Sequence, residues 1–269
     1  MIIYKTKDVT VFQSAMFQLN TTVVATKDLV LVVDPGYLPL EVDEIRLFVD
    51  KIRGDRPIYL YFTHSDYDHI AGYGAFPDAK TIASKEFVES PLMETQIKDL
   101  IKYDDEFYLN RSYAIKYPEI NHVITRDGQQ IVIGETVITF YHAFGHNNDG
   151  LLAVIESMNL LIAGDYLSDI EFPFIYYSFS EYEKTLNTLQ KLANVNKNLI
   201  LVTSHGSVTD EATDIQKRID DSIDYLHLLK NEPSDVRFNE FLTEKNYHFI
   251  TVFKRRHQDN LNLWRNQLS

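Results

Sequence analysis

Residues 62–75 read FTHSDYDHIAGYGA, and His64, Asp66, Asp68 and His69 fall within six consecutive positions of that stretch. They follow directly on the apolar run Ile58-Tyr59-Leu60-Tyr61-Phe62, which has the length and bounding of a buried strand. Two imidazoles and two carboxylates at a strand end make either a solvated turn or a cation-binding loop. The remaining sequence chooses between them.

The pattern recurs along the chain. Asp34 follows the apolar residues 29–33 and precedes Pro35-Gly36. His146 lies in AFGHNNDG just beyond a strand-like run, Asp165 follows Leu160-Leu161-Ile162-Ala163-Gly164, and His205 follows residues 199–203 inside VTSHGS. Taken singly, each has an ordinary explanation, as turn chemistry or a surface histidine. Taken together, seven clustered groups (His64, Asp66, Asp68, His69, His146, Asp165 and His205) would pack like charges at considerable cost. A pair of divalent cations removes that cost.

The frame around these residues reads as layered α/β. The N-terminal MIIYKTKDVTVFQSAMF is broken by Lys5, Lys7 and Asp8, which suits a first strand better than a signal peptide. Residues 9–19 and 22–33 are rich in β-branched side chains and predict two strands, and residues 41–52 have helical spacing. Short strands are expected at 57–62 and 80–83, then at 130–133, 136–142, 151–156, 159–163 and 198–203. Gly134-Glu135 joins two of them as a tight hairpin would. Residues 181–192 are helical. A Tyr-rich, helical or looped insertion is expected near 85–120, over a cleft. From about residue 210 the chain is helical, with Ile215, Ile219, Ile223, Leu226 and Leu229 forming a packing stripe. Each half places strands before helices, and no repeat or linker is visible. That favours one layered domain over residues 1–269.

Composition narrows the function. With no cysteine, the chain can form no disulfide, and nitrogen and oxygen must hold any metal. A net charge of −13 argues against nucleic acid as a partner and leaves a small-molecule substrate as the expectation. No apolar run approaches the roughly 18 residues of a membrane span, so no membrane partner is expected and a cytoplasmic location is. The one basic cluster, Lys254-Arg255-Arg256-His257, reads as a solvated helix face. His122, His142, His227, His248 and His257 fall outside every motif and take structural or solvated readings.

In order, the chain carries His64-Ser65-Asp66-Tyr67-Asp68-His69, Gly145-His146, Gly164-Asp165 and Ser204-His205-Gly206. In this it resembles the metallo-β-lactamase superfamily, whose members carry H-x-H-x-D-H, then Gly-His, Gly-Asp and a final His on successive strand-end loops. The likeness spans roughly residues 9–210. Asp34 is similar to the family's buttressing Asp, and HIAGYGAFPDA to the segment after its first motif. The resemblance implies a four-layer αββα sandwich with metals at one edge between the sheets. It implies one ion on His64, Asp66 and His146, a second on Asp68, His69 and His205, and Asp165 bridging both. A water or hydroxide between the ions would be the nucleophile, with Asp68 also accepting a proton. Two divalent ions follow, zinc first, with manganese or iron as alternatives.

One position departs from the family: Asp66 stands where the second His is usual. Either the first site is weakened, or a carboxylate replaces imidazole and both sites survive. The second reading is preferred because an Asp oxygen still coordinates a divalent ion, and its hardness shifts preference toward iron or manganese. The implied activity is metal-dependent hydrolysis of an ester, thioester, lactone or phosphoester in a small molecule. A β-lactamase proper is disfavoured, since the best-known forms place Cys at the second metal. The alternative is a non-haem di-iron oxidoreductase related to flavo-di-iron proteins, which carry Glu at the place of Asp66. Nothing after residue 210 looks like their flavodoxin-like domain. Residues 103–117 together with Tyr166, Tyr176 and Tyr177 are the expected pocket tyrosines.

Overall fold

Alternation along Leu29-Val30-Leu31-Val32-Val33 shows how the layers form. Leu29, Leu31 and Val33 enter the core between two sheets, while Val30 and Val32 face a helix on the outside. A strand covered on both faces reads as one continuous apolar run. The second sheet repeats the device: Leu151, Ala153 and Ile155 point to the inter-sheet core, and Leu152 and Val154 to the opposite helical layer.

In the computed structural model, which describes residues 1–231 and 233–268, the first sheet holds seven strands in chain order. They are β1 (Ile2–Lys5), β2 (Val9–Gln13), β3 (Asn20–Ala25), β4 (Val30–Val33), β5 (Ile58–Tyr61), β6 (Lys80–Ser84) and β7 (His122–Ile124). The first four run antiparallel, and β4 to β7 run parallel. The second sheet holds β8 (Gln129–Ile133), β9 (Thr136–His142), β10 (Leu151–Ile155), β11 (Leu160–Ile162) and β12 (Ile200–Val202), with only the β11–β12 pair parallel. Outside the first sheet lies α1 (Pro39–Arg53); α2 (Tyr67–Ile70), α3 (Lys85–Val88) and α4 (Met93–Glu106) also connect its strands. Outside the second pack α5 (Phe179–Val195), α6 (Ala212–Asn231), α7 (Asp235–Glu244) and α8 (Ile250–Leu268). The result is a four-layer αββα sandwich.

Two sequence-predicted strands are shorter than expected, for local reasons. Residues 9–19 stop as a strand at Gln13, because Phe17 and Gln18 adopt left-handed backbone (φ 59° and 49°) in a loop. Residues 22–33 form a hairpin, not one strand. The Thr26 hydroxyl accepts bonds from the Asp28 and Leu29 amides and turns the chain. The short strand β7 had no separate sequence signal. Between β6 and β7, Arg111 pairs with buried Asp104 through two nitrogens and donates to the Tyr37 carbonyl, tying the Tyr-rich segment to the loop after β4.

Parallel neighbours end at the same edge, which is what places the polar loops together. Strands β4 and β5 deliver Asp34 and His64 there, and β11 and β12 deliver Asp165 and His205. The sheets are fastened at that edge: Leu151 N donates to Thr63 O at 2.8 Å, and Asn20 N to Ser204 O at 2.7 Å.

Candidate metal centre

All seven sequence-predicted residues converge at that edge. His64, His69, His146 and His205 are 0–4% exposed, and each directs Nε2 to a common centre. Their orientation is fixed through Nδ1. His64 donates to Thr63 Oγ1 (3.0 Å), His69 to Asp34 Oδ2 (2.9 Å), His146 to Phe174 O (2.7 Å) and His205 to Phe17 O (2.9 Å). Such outer contacts set the tautomer and leave Nε2 free to bind.

Asp34 holds the framework. Its Oδ1 accepts the Thr63 amide at 2.9 Å, and its Oδ2 accepts the Thr63 hydroxyl at 2.7 Å, His69 at 2.9 Å and Ser204 at 3.2 Å. It thereby joins loops from both sheets, and it does so at a left-handed backbone position, φ 47°. The loop before His146 is equally constrained. Gly145 has φ 126°, and a Cβ there would stand 2.3 Å from the Tyr182 amide nitrogen. Tyr166 supports the loop from beneath, accepting from His146 N and donating to Phe144 O.

The inward atoms divide into two sets sharing Asp165. Its Oδ2 lies 3.7 Å from His64 Nε2 and 3.2 Å from His146 Nε2, while Oδ1 lies 3.3 Å from His69 Nε2 and 3.5 Å from His205 Nε2. Asp66 Oδ2 completes the first set at 3.5 Å from His64 and 3.4 Å from His146. Asp68 Oδ2 completes the second at 3.7 Å from both His69 and His205. These separations are long for hydrogen bonds but match the edges of a coordination shell. Ligands about 2.1 Å from a tetrahedral ion lie roughly 3.4 Å apart. The buried Nε2 atoms of His64, His69 and His146 and the Oδ1 of Asp165 have no hydrogen-bond partner among the described residues. Orphaned buried His and Asp atoms facing one another fit divalent cations.

Electrostatics agree. Burial pushes the Asp66 and Asp165 carboxyls up, but the surrounding imidazoles outweigh it and hold both well below the usual range. Burial pushes the imidazoles down, yet Asp165 and its neighbours raise His69 to about 9 and His146 and His205 well above the ordinary value. Without cations, protons must supply the compensating charge.

The position of Asp66 is reinforced by two residues that the motifs did not single out. Asp66 Oδ1 accepts from Gln96 Nε2 at 3.1 Å and from Asn147 Nδ2 at 3.4 Å, which turns Oδ2 toward the centre. Gln96 also accepts the Tyr67 amide at 2.9 Å. Asn147 could have been suspected from its place beside His146, whereas nothing local marks Gln96, which arrives on α4. Glu171, also unanticipated, lines the pocket, and burial raises its carboxyl despite the opposing His205.

The centre forms the floor of a cavity of ≈ 370 Å³. Tyr103 and Tyr176 line it as expected and Tyr67 does so unexpectedly, whereas Tyr108, Tyr113, Tyr117, Tyr166 and Tyr177 do not. The basic cluster departs only in part from its sequence reading as a solvated face, since Lys254 and Arg255 are exposed. Arg255 and Arg256 line the cavity, and His257 is buried against Phe238, where burial lowers it to about 4. The cause is the α8 pattern Phe253, His257, Asn260 and Leu261, a buried stripe at helical spacing. Asn260 accepts from Ile175 N and donates to Pro173 O, bracketing the Phe174 carbonyl that orients His146. Elsewhere, His142 sits by Asp127, His122 packs near Tyr59, and His227 and His248 are exposed.

Residues 16–205 match the metallo-beta-lactamase superfamily. A comparison with curated protein sequences finds none that matches. Among solved structures, the stereoselective inverting sec-alkylsulfatase Pisa1 from Pseudomonas sp. superposes with a TM-score of 0.67 at 12% identity, over 88% of this chain and 43% of that one. This chain therefore spans less than half of the alkylsulfatase's length. An archaeal metallo-beta-lactamase superfamily protein from Sulfolobus tokodaii gives 0.59 at 16%, covering 95% and 100% of the two chains. ETHE1 from Myxococcus xanthus gives 0.57 at 14%, covering 83% and 90%. At these identities the likeness concerns the fold.

Two outcomes are expected. Elemental analysis should find about two divalent ions per native chain and per Asp66→His chain, but about one in Asp66→Ala. Two ions retained in Asp66→Ala would remove Asp66 from the ligand set. The second concerns pH. The raised histidines stabilise the chelated protein fully below about pH 6.5, and His69's share is lost as pH passes about 9; the lowered carboxyls stabilise it above about pH 3.8 and lose that share below. Scanning calorimetry of chelated protein should give a higher Tm at about pH 6 than at about pH 9.5. Zinc affinity should rise over the same interval, because the ion displaces protons. A chelated protein more stable at the higher pH would contradict this charge balance.

Proposed function

Because the chain belongs to the metallo-beta-lactamase superfamily, we propose that it is a binuclear metal-dependent hydrolase cleaving an ester, thioester, lactone or phosphoester bond in a small molecule. The observation that carries this reading is the bifurcated environment of Asp165, whose two oxygens face separate His/Asp sets at the floor of one cavity. Divalent ions bound there, zinc first and manganese or iron as alternatives, would supply Lewis acidity and bring the pKa of a water toward neutrality.

The chain's own residues supply the rest. His64, Asp66 and His146 would hold one ion, Asp68, His69 and His205 the other, with Asp165 common to both. Asp68 is 9% exposed and lines the cavity, so with Oδ2 turned to the second set its other oxygen, Oδ1, can take up a proton. Asp34 and Thr63 keep His64 and His69 from rotating as charge changes at the floor. Aromatic walls from Tyr67, Tyr103 and Tyr176 offer an apolar surface to the non-reacting part of a substrate. The alternative, a di-iron oxidoreductase, is favoured by one feature alone: the carboxylate Asp66 in an otherwise imidazole-rich position.

A panel containing an aryl acetate, a thioester, a lactone, a phosphodiester and, because of the shared fold, an alkyl sulfate tests this reading on metal-loaded protein. Turnover of at least one, lost on chelation and reduced about 100-fold or more in Asp68→Ala, is the expected result. Unchanged turnover in Asp68→Ala would remove its proton-handling role. Two irons with oxygen uptake and no hydrolysis would transfer the protein to the alternative.

A further inference from the structure

The cavity's charge is segregated. Its floor carries Asp66, Asp68 and Asp165 and its wall Glu171, whereas Arg255 and Arg256 enter from α8. In a chain of net charge −13, two guanidinium groups at one pocket call for an explanation. Arg256 is held in place by its neighbours: its guanidinium lies 5.3 Å from the Tyr176 ring centroid and 5.8 Å from that of Phe174. Its one carboxylate contact among the described residues, Nη1 to Asp259 Oδ2, is at 3.5 Å and solvent-exposed, and so worth little. Arg255 is exposed and has no hydrogen-bond or ion-pair partner among the described residues. The side chains beside them are apolar yet wet: Phe249 is 48% exposed, Val252 41%, Tyr176 40% and, across the cavity, Phe17 37%. Single exposed apolar residues are ordinary, but four lining one cavity are not.

From this arrangement we propose that Arg255 and Arg256 form an anion-binding subsite, and that the substrate carries a second, non-reacting anionic oxygen group joined to its scissile bond by an apolar stem. This rests on the hydrolase reading for the scissile end only. The planar guanidinium fork matches a carboxylate, sulfonate or phosphate oxygen pair, and stacking fixes one fork in advance. The apolar rim covers the stem, and the volume of ≈ 370 Å³ lies in the small-molecule range of about 300–1,000 Å³. Neutral esters of the same size fill the walls and leave the guanidinium pair without a partner. Both arginines lie outside residues 16–205, on α8, while the Phe174 and Tyr176 rings that hold Arg256 lie within the matched region.

Calorimetric titration of the metal-loaded protein tests this with octane-1-sulfonate, whose C–S bond resists hydrolysis, and its neutral counterpart octyl methyl sulfone. The sulfonate should bind about tenfold or more tightly, and that advantage should shrink as salt rises from about 0.05 to 0.5 M. In R255Q/R256Q the sulfonate should weaken about tenfold to match the sulfone, and R255K/R256K should restore most of the difference. The single variant R255Q, which breaks no existing contact, should show a partial loss without any folding defect. Equal affinities for the two probes, or a sulfonate affinity indifferent to the substitutions, would overturn the subsite, the latter because the anion would then sit on the metals. Since binding is measured, a sulfonate preference without hydrolysis anywhere in the panel would remove the hydrolase reading and keep the subsite. Hydrolysis with no preference would do the reverse.

Discussion

Three carboxylates can share a buried floor only when positive charge lies between them. Asp66, Asp68 and Asp165 meet this constraint through four imidazoles, each pinned by Nδ1 and each offering Nε2 inward. The pinning groups come from widely separated parts of the chain: Asp34, Thr63, the Phe174 carbonyl and the Phe17 carbonyl. Convergence of the loops and compensation of the charge are therefore one problem, solved at the edge where parallel strand pairs end together. Asp34 carries most of this, since its Oδ2 alone receives contacts from Thr63, His69 and Ser204 and so ties the two sheets at the floor.

Asp66, at the position where the resemblance to the superfamily implies a histidine, is accommodated by its surroundings. A carboxylate has two oxygens to satisfy where an imidazole has one outward nitrogen. Gln96 and Asn147 take the outer oxygen and aim the other inward. The local cost of moving a charged group there is met by His64 and His146, which hold the carboxyl well below its usual range. The α4 insertion is thus coupled to the floor through Gln96, and the same helix stacks Tyr103 on Tyr67 at the cavity wall (centroids 4.9 Å apart). The C-terminal extension is coupled to it as well, because Asn260 brackets the Phe174 carbonyl on which His146 depends.

Much of this was legible in the sequence, and the remainder was hidden for physical reasons. Strand ends were readable because a buried strand must be apolar and its loop may be polar, so His64, His146, Asp165 and His205 stood out at the junctions. Strand lengths at residues 9–19 and 22–33 were not, because β-branched content does not reveal left-handed backbone at Phe17 and Gln18 or the turn closed by Thr26. Partners arriving from a distant helix, such as Gln96 and Asn260, leave no local periodic signal. The basic cluster, solvated at Lys254 and Arg255 but buried at His257, is the instructive case. Lys254-Arg255-Arg256 looks solvated as a run of charge, but the buried pattern of Phe253, His257 and Asn260 fixes the helix face. The flanking arginines are thereby directed to the cavity.

The account stands on paired cations being what draws these seven side chains together. X-ray diffraction from crystals of metal-loaded protein, with anomalous data collected at the absorption edge of the bound element, tests that most directly. Two anomalous peaks, one on each side of the Asp165 carboxylate and each within bonding distance of its His/Asp set, are the predicted result. A floor without such peaks, or with the histidines turned away from it, would contradict the account.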